Sequence, residues 1–157
     1  MKKKKIWIGG AVIIVVVILG AVSVWSNWGS WWQRYQANKI LREYATLDEA
    51  YRNDNYGSTT PEGTLVLFVD ALKQGDADLA SKYFVVEKRE MMKKELSAGL
   101  KSGGVKTLTD IVSRDKKGYL ASVNLFVFDT FDEKNNAEFS FRLLKNEYSQ
   151  KWLIESL

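Results

Sequence analysis

The chain has 157 residues, with 23 Lys and Arg against 19 Asp and Glu, and it contains neither cysteine nor histidine. Without those two residue types there is no disulfide, no thiol nucleophile, no Ser-His-Asp triad and no zinc site of the usual kind. The net charge of +4 sits in the first five residues: all 19 acids follow position 33, as do 23 − 4 = 19 bases, so the rest is formally neutral and lacks the basic footprint of a nucleic-acid binder.

Lys2, Lys3, Lys4 and Lys5 form a short basic tail, 1–5, in front of an uncharged run from Ile6 to Gln33, which is 33 − 6 + 1 = 28 residues. About 20 apolar residues cross the hydrocarbon core of a bilayer. The expectation is a single-pass signal-anchor over 6–29, with the lysines holding the N-terminus in the cytoplasm. Trp25, Trp28, Trp31 and Trp32 suit the opposite headgroup layer. The rest of the chain then lies outside the cytoplasm, tied to the plasma or inner membrane of a bacterial envelope. The alternative is a secretory signal cleaved near Ala21-Val22-Ser23, against which the apolar run exceeds a usual signal core of about 7–15 residues.

Residues 30–53 read as a juxtamembrane helix or stalk. Ile40, Tyr44, Leu47 and Tyr51 follow one stripe of a 3.6-residue period, with Arg42, Glu43, Glu49 and Arg52 opposite. The stripe has three uses open to it: packing on the chain's own domain, self-association, or docking a partner. The domain itself is expected over 54–157.

Its first helix starts at Thr60-Pro61-Glu62, a cap, a first-turn proline and an acid for the positive dipole end. Leu65, Phe68, Val69 and Leu72 make its buried stripe, and Gly75 stops it. Asp76 caps a short second helix burying Leu79, Ala80, Tyr83 and Phe84. A third, 87–101, packs through Met91, Met92, Leu96 and Leu100 and ends at Gly103-Gly104. From Val105 the period becomes two. The expected strands are 105–113, a long one at 119–129, 137–145 and 151–156, with turns at Asp115–Gly118, Asp132–Asn136 and Asn146–Gln150. Three helices followed by an antiparallel meander is an α+β plan.

The stretch "TPEGTLVLFVDALKQGDADLASKYF" resembles the opening of nuclear transport factor 2-like domains, and "FSFRLLKNEYSQKWLIESL" resembles their last hairpin. The likeness covers about residues 60–157. It implies three helices on a strongly curved antiparallel sheet, a cystatin-like cone whose pocket is either filled or open. The nearest flavour is the bacterial membrane-anchored, lumazine-binding-like branch of unassigned activity. Extracytoplasmic scaffold proteins of type IV secretion and conjugation machines share the order of basic tail, membrane helix, linker helix and such a domain.

Three function classes follow: a non-enzymatic binding or scaffold domain, a small-ligand binder using the cone, and, least favoured, a ketosteroid isomerase-like enzyme. The last needs a carboxylate base and acidic donors in an apolar pocket. Asp70 lies off the buried stripe, Asp129, Asp132 and Glu133 sit at a turn, and Glu138 is on a polar strand face, so no catalysis is expected. No acidic loop of the calcium-hand type occurs, and neither metal nor cofactor is expected. The candidates for a pocket or partner surface are Tyr83, beneath the helices as core packing or a pocket donor, Trp152, inward on the last strand, and Phe126 and Phe128, because the long strand is apolar on both faces. The expected partners are the lipid bilayer and a protein, or a second copy, met through the sheet or the juxtamembrane helix.

Overall fold

The structure, a computed structural model, describes residues 31–131 and 136–157. The basic tail, the 6–29 anchor with Trp25 and Trp28, and the acids Asp132 and Glu133 lie outside the described residues. Among the described residues no helix is long and apolar enough to cross a membrane. The chain divides into two compact units, Met1–Thr46 and Leu47–Leu157.

Residues 31–52 are helical (α1). In the first unit, Tyr35 stacks on both Trp31 and Trp32 with ring centroids 5.9 and 5.8 Å apart, and the two indoles lie 6.3 Å apart, tilted by 40°. All three are exposed, as are Ile40, Leu41 and Tyr44 further along.

The second unit opens with the end of α1 and continues through α2 (Pro61–Lys73), α3 (Ala77–Lys82), a 3-10 turn (Val86–Lys88), α4 (Arg89–Ser102) and α5 (Gly104–Ser113). The caps are those the sequence announces. Thr60 Oγ1 accepts the Gly63 N–H at 3.1 Å, and Asp76 Oδ1 accepts the Leu79 N–H at 2.8 Å. Leu65, Phe68, Val69 and Leu72 are buried on α2. Gly75, at φ +74, closes that helix in the left-handed region glycine adopts without strain.

Four antiparallel strands follow in sequence order, β1 (Lys116–Ser122), β2 (Leu125–Phe131), β3 (Ala137–Lys145) and β4 (Trp152–Ser156). The register puts Leu120, Phe126, Leu143 and Ile154 in one row across the sheet, and Gly118, Phe128 and Phe141 in the next. Phe126, Phe128, Phe141, Leu143 and Ile154 pack with Leu65, Phe68, Leu72, Phe84 and Leu96 of the helical layer, which makes this the inner face. Leu125, Leu144 and Leu153 form a row on the outer face. The architecture is therefore α+β with an antiparallel sheet.

Two expected elements are corrected. Residues 105–113 are the helix α5 and not a strand. Val105, Leu108 and Val112 fall at a helical spacing of three and four, and burying that stripe against α2 and α4 outweighs the β preference of Val, Thr and Ile. The long strand 119–129 is two strands joined by a turn at Val123-Asn124, with a register irregularity between Leu120 and Ser122. Asn124 supports the reversal: its carbonyl accepts the Lys145 N–H at 2.9 Å and its amide donates to Glu147. The turn expected at Asp115–Gly118 is absorbed into β1. Gly118 is there for packing, because a Cβ would lie 2.6–2.8 Å from the rings of Phe126 and Phe128.

Candidate binding surfaces

The interior of the second unit is filled by aromatic side chains. Phe68 meets Phe84 edge-on at 5.5 Å, and Phe126 touches both Phe128 at 4.8 Å and Trp152 at 5.9 Å. Of the four residues singled out for a pocket or partner surface, Tyr83, Phe128 and Trp152 are buried and Phe126 is half-buried on the inner face. Tyr83 abuts Tyr56 edge-on at 6.4 Å, and burial raises the affinity of its phenol for the proton. Trp31 and Trp32 are exposed in the first unit.

The carboxylates weighed as catalytic are elsewhere. Asp70 and Glu138 are exposed, Glu138 pairing with Arg114 at 2.7 Å, and Asp129 is half-buried on the outer face. Among the described residues the buried carboxylate is Asp54, 4 % exposed, and it is bound by Arg89 at 2.8 Å. Arg89 also donates to the Phe84 carbonyl at 3.0 Å and lies over the Tyr56 ring. This pair is a structural tie between the start of the domain and α4, and sequence reading had no means to pair residues 54 and 89.

The end of α1 is fastened to the domain by side chains. Tyr51 donates to Glu87 at 2.6 Å, and burial with that contact raises the phenol well above its ordinary range. The Tyr51 carbonyl accepts from the Asn146 amide at 2.9 Å. Asp48 accepts from both the Tyr148 hydroxyl and Arg52, and the Arg52 guanidinium lies 4.3 Å over the Tyr148 ring. Those bonds, Tyr148 first, hold Asp48 below the usual carboxylate range. Asp48 and Tyr51 line a shallow cleft with Leu144 and Leu153, so the end of the helix reaches the outer face of the sheet.

A second cleft, of about 490 Å³, opens between α4, α5 and the end of β4. Met91, Met92, Leu96, Val105 and Leu108 form its walls, with Phe84 at its base. Gly99 faces Val105, and a Cβ there would come within 3.4 Å of the valine methyl. At the rim Lys88 donates to the Glu155 carboxylate at 2.9 Å and to its carbonyl at 2.6 Å, which depresses the Glu155 proton affinity. Such a site takes an apolar body and offers one ion pair for orientation. The sequence pattern gives no sign of it, because the β-branched residues of 105–113 point to a strand and one wall of the cleft is α5.

The two edges of the sheet differ. Along β4, Trp152 N–H donates to the Ser58 carbonyl at 2.8 Å, Val85 N–H to Ile154 at 2.9 Å, and Ile154 N–H to Tyr83 at 2.8 Å. Gly57 makes this approach feasible, with φ +86 and a Cβ position only 2.2 Å from the Trp152 oxygen. Beyond β1 no strand follows among the described residues.

Compared with protein-family models, with curated proteins and with solved structures, the chain finds no match.

Proposed function

We propose that the chain is a single-pass, N-in and C-out membrane protein whose extracytoplasmic domain binds or scaffolds other envelope components and performs no catalysis. The finer fold proposed is the nuclear transport factor 2-like cone, supported by the α2–α3 opening with its caps and by the order of helices and antiparallel strands. The observation that carries the functional reading is the filled interior. Where an isomerase-like cone needs a carboxylate in an apolar cavity, Phe68, Phe84, Phe128, Phe141 and Trp152 stand, and Asp54 is engaged by Arg89. The anchor is supported by the four lysines before 28 uncharged residues and by the exposed Trp31, Trp32 and Tyr35 stack that follows them. Tethering raises the effective concentration of the domain for membrane partners. The order of parts also supports a place among type IV secretion or conjugation scaffolds.

The α4–α5 cleft favours a second reading, a small-ligand binder, because its volume falls within the range of about 300–1,000 Å³ of ligand sites. Cysteine labelling tests the topology, and native mass spectrometry separates the two readings. Single cysteines replace Lys2 and Gln150 in the full chain, which has none of its own. In intact cells an impermeant maleimide should label Gln150→Cys and spare Lys2→Cys; the reverse pattern, or a mature chain starting near Val24, overturns the anchor. Native mass spectrometry of the same detergent-solubilised protein should show no retained small molecule. A bound one, displaced by Gly99→Leu, would move the function into the cleft.

A further inference from the structure

We propose that the outer edge of β1 is an assembly site, where β1 of a second copy pairs antiparallel about a twofold axis at Tyr119. An unpaired strand edge offers a row of N–H and C=O groups to any incoming strand, and proteins usually cover or guard it. The β4 edge is covered by backbone bonds from Ser58, Tyr83 and Val85, and β1 is left open among the described residues.

Its side chains do not guard it. Tyr119 is 51 % exposed, Leu120 59 % and the neighbouring Val123 84 %. The two lysines of β1 are turned to their own chain: Lys116 donates to the carbonyls of Val112 and Arg114, and Lys117 lies 4.9 Å over the Phe131 ring.

The sequence of β1 is complementary to itself. Pairing centred on Tyr119 sets Tyr119 against its copy, Leu120 against Gly118, Lys117 against Ala121 and Lys116 against Ser122. Every lysine then meets a small neutral residue, and no like charges oppose. On the inner face the rings of Phe126 and Phe128 lie over Gly118, and the incoming Leu120 packs against the edge of those rings. A twofold contact of this kind is isologous and closes on itself as a dimer. A foreign strand would lack this match between one patch and its own copy.

The inference deepens the scaffold reading and rests on it for the in-plane concentration that a single-strand interface needs. Directly opposed residues have Cα atoms about 4.5–5.5 Å apart, inside the disulfide range of about 4.4–6.8 Å. Tyr119→Cys in the full-length chain, in its native membrane under mild oxidation, should form a disulfide-linked dimer at least about 10-fold faster than Val66→Cys, an equally exposed site on α2. Lys117→Cys and Ala121→Cys should crosslink when co-expressed and not singly. Adding Leu120→Asp should return Tyr119→Cys to the Val66→Cys level. Equal rates at 119 and 66, or a crosslink of 119 only to a different protein, overturn the proposal. Impermeant maleimide on Gln150→Cys, away from the pairing strand, reads the topology separately: no label there sinks the scaffold reading, whereas label there with no dimer at Tyr119→Cys sinks the pairing alone.

Discussion

The two edges of the sheet are built from one chemistry and left in opposite states. At β4, the loop at Gly57-Ser58 and the extended Tyr83–Val85 stretch supply carbonyls and an N–H, so the strand is bonded on both sides and Leu153 and Ile154 are fully buried. At β1, the same backbone groups meet no further strand among the described residues, beside exposed Tyr119 and Leu120. A sealed edge contributes to the stability of the domain that owns it; an open edge is free to contribute to an assembly.

Substitutions at the sealed edge should be costly, and the largest effect is expected at its support. Arg89→Ala leaves Asp54 buried without its counter-charge, with only the Tyr56 N–H still donating to it at 3.3 Å, and frees the Phe84 carbonyl, at a cost of about 3–5 kcal/mol, read as a fall in the urea midpoint. Next comes Gly57→Ala, where positive φ and a Cβ 2.2 Å from the Trp152 oxygen should cost roughly 1–3 kcal/mol and speed amide exchange at Trp152. Thr64→Val removes the hydroxyl that donates to Trp152 and accepts from Ser58, for about 1–2 kcal/mol.

A smaller effect is pH-dependent. Lys88 depresses Glu155, so the pair contributes stability above the unfolded glutamate value of about 4.3 and loses it as pH falls through the lower folded value. Lys88→Met should bring the NMR-monitored Glu155 titration back to the ordinary value. The smallest change is expected at the open edge: Leu120→Asp should shift the monomer's unfolding free energy by no more than about 0.5 kcal/mol while abolishing the Tyr119→Cys dimer. A large loss of stability from Leu120→Asp would erase the contrast between the edges.

Local signals were legible wherever one short segment carried both start and stop. Thr60-Pro61-Glu62 with Gly75, and Asp76 with its short helix, stand where the caps put them, and 137–145 is a strand. On β3, Phe141 and Leu143 are buried as alternation requires, whereas Phe139 nearer the strand's start is 38 % exposed. The errors came where periodicity was ambiguous. Val105, Thr107, Ile111 and Val112 carry β-branched side chains that look strand-like, and Val123 hides a turn inside an apolar run. Of the surfaces the structure brings together, the α4–α5 cleft joins Phe84, Leu108 and Glu155, and the helix fastening joins residues 36 and 100 positions apart, Tyr51–Glu87 and Asp48–Tyr148.

The sequence by itself determined the charge asymmetry, the uncharged 28-residue run with its lysines and tryptophans, the absence of thiol and imidazole chemistry, and the capped helices. These follow from composition and from contacts within a few residues, which the chain carries locally. Only the tertiary structure decided that 105–113 is helix, that Asp54 is paired with Arg89, and that, among the described residues, one sheet edge is bonded while the other is open. Those outcomes depend on which distant segment buries a given face or fills a given hydrogen bond, and local propensity is too weak to fix that choice.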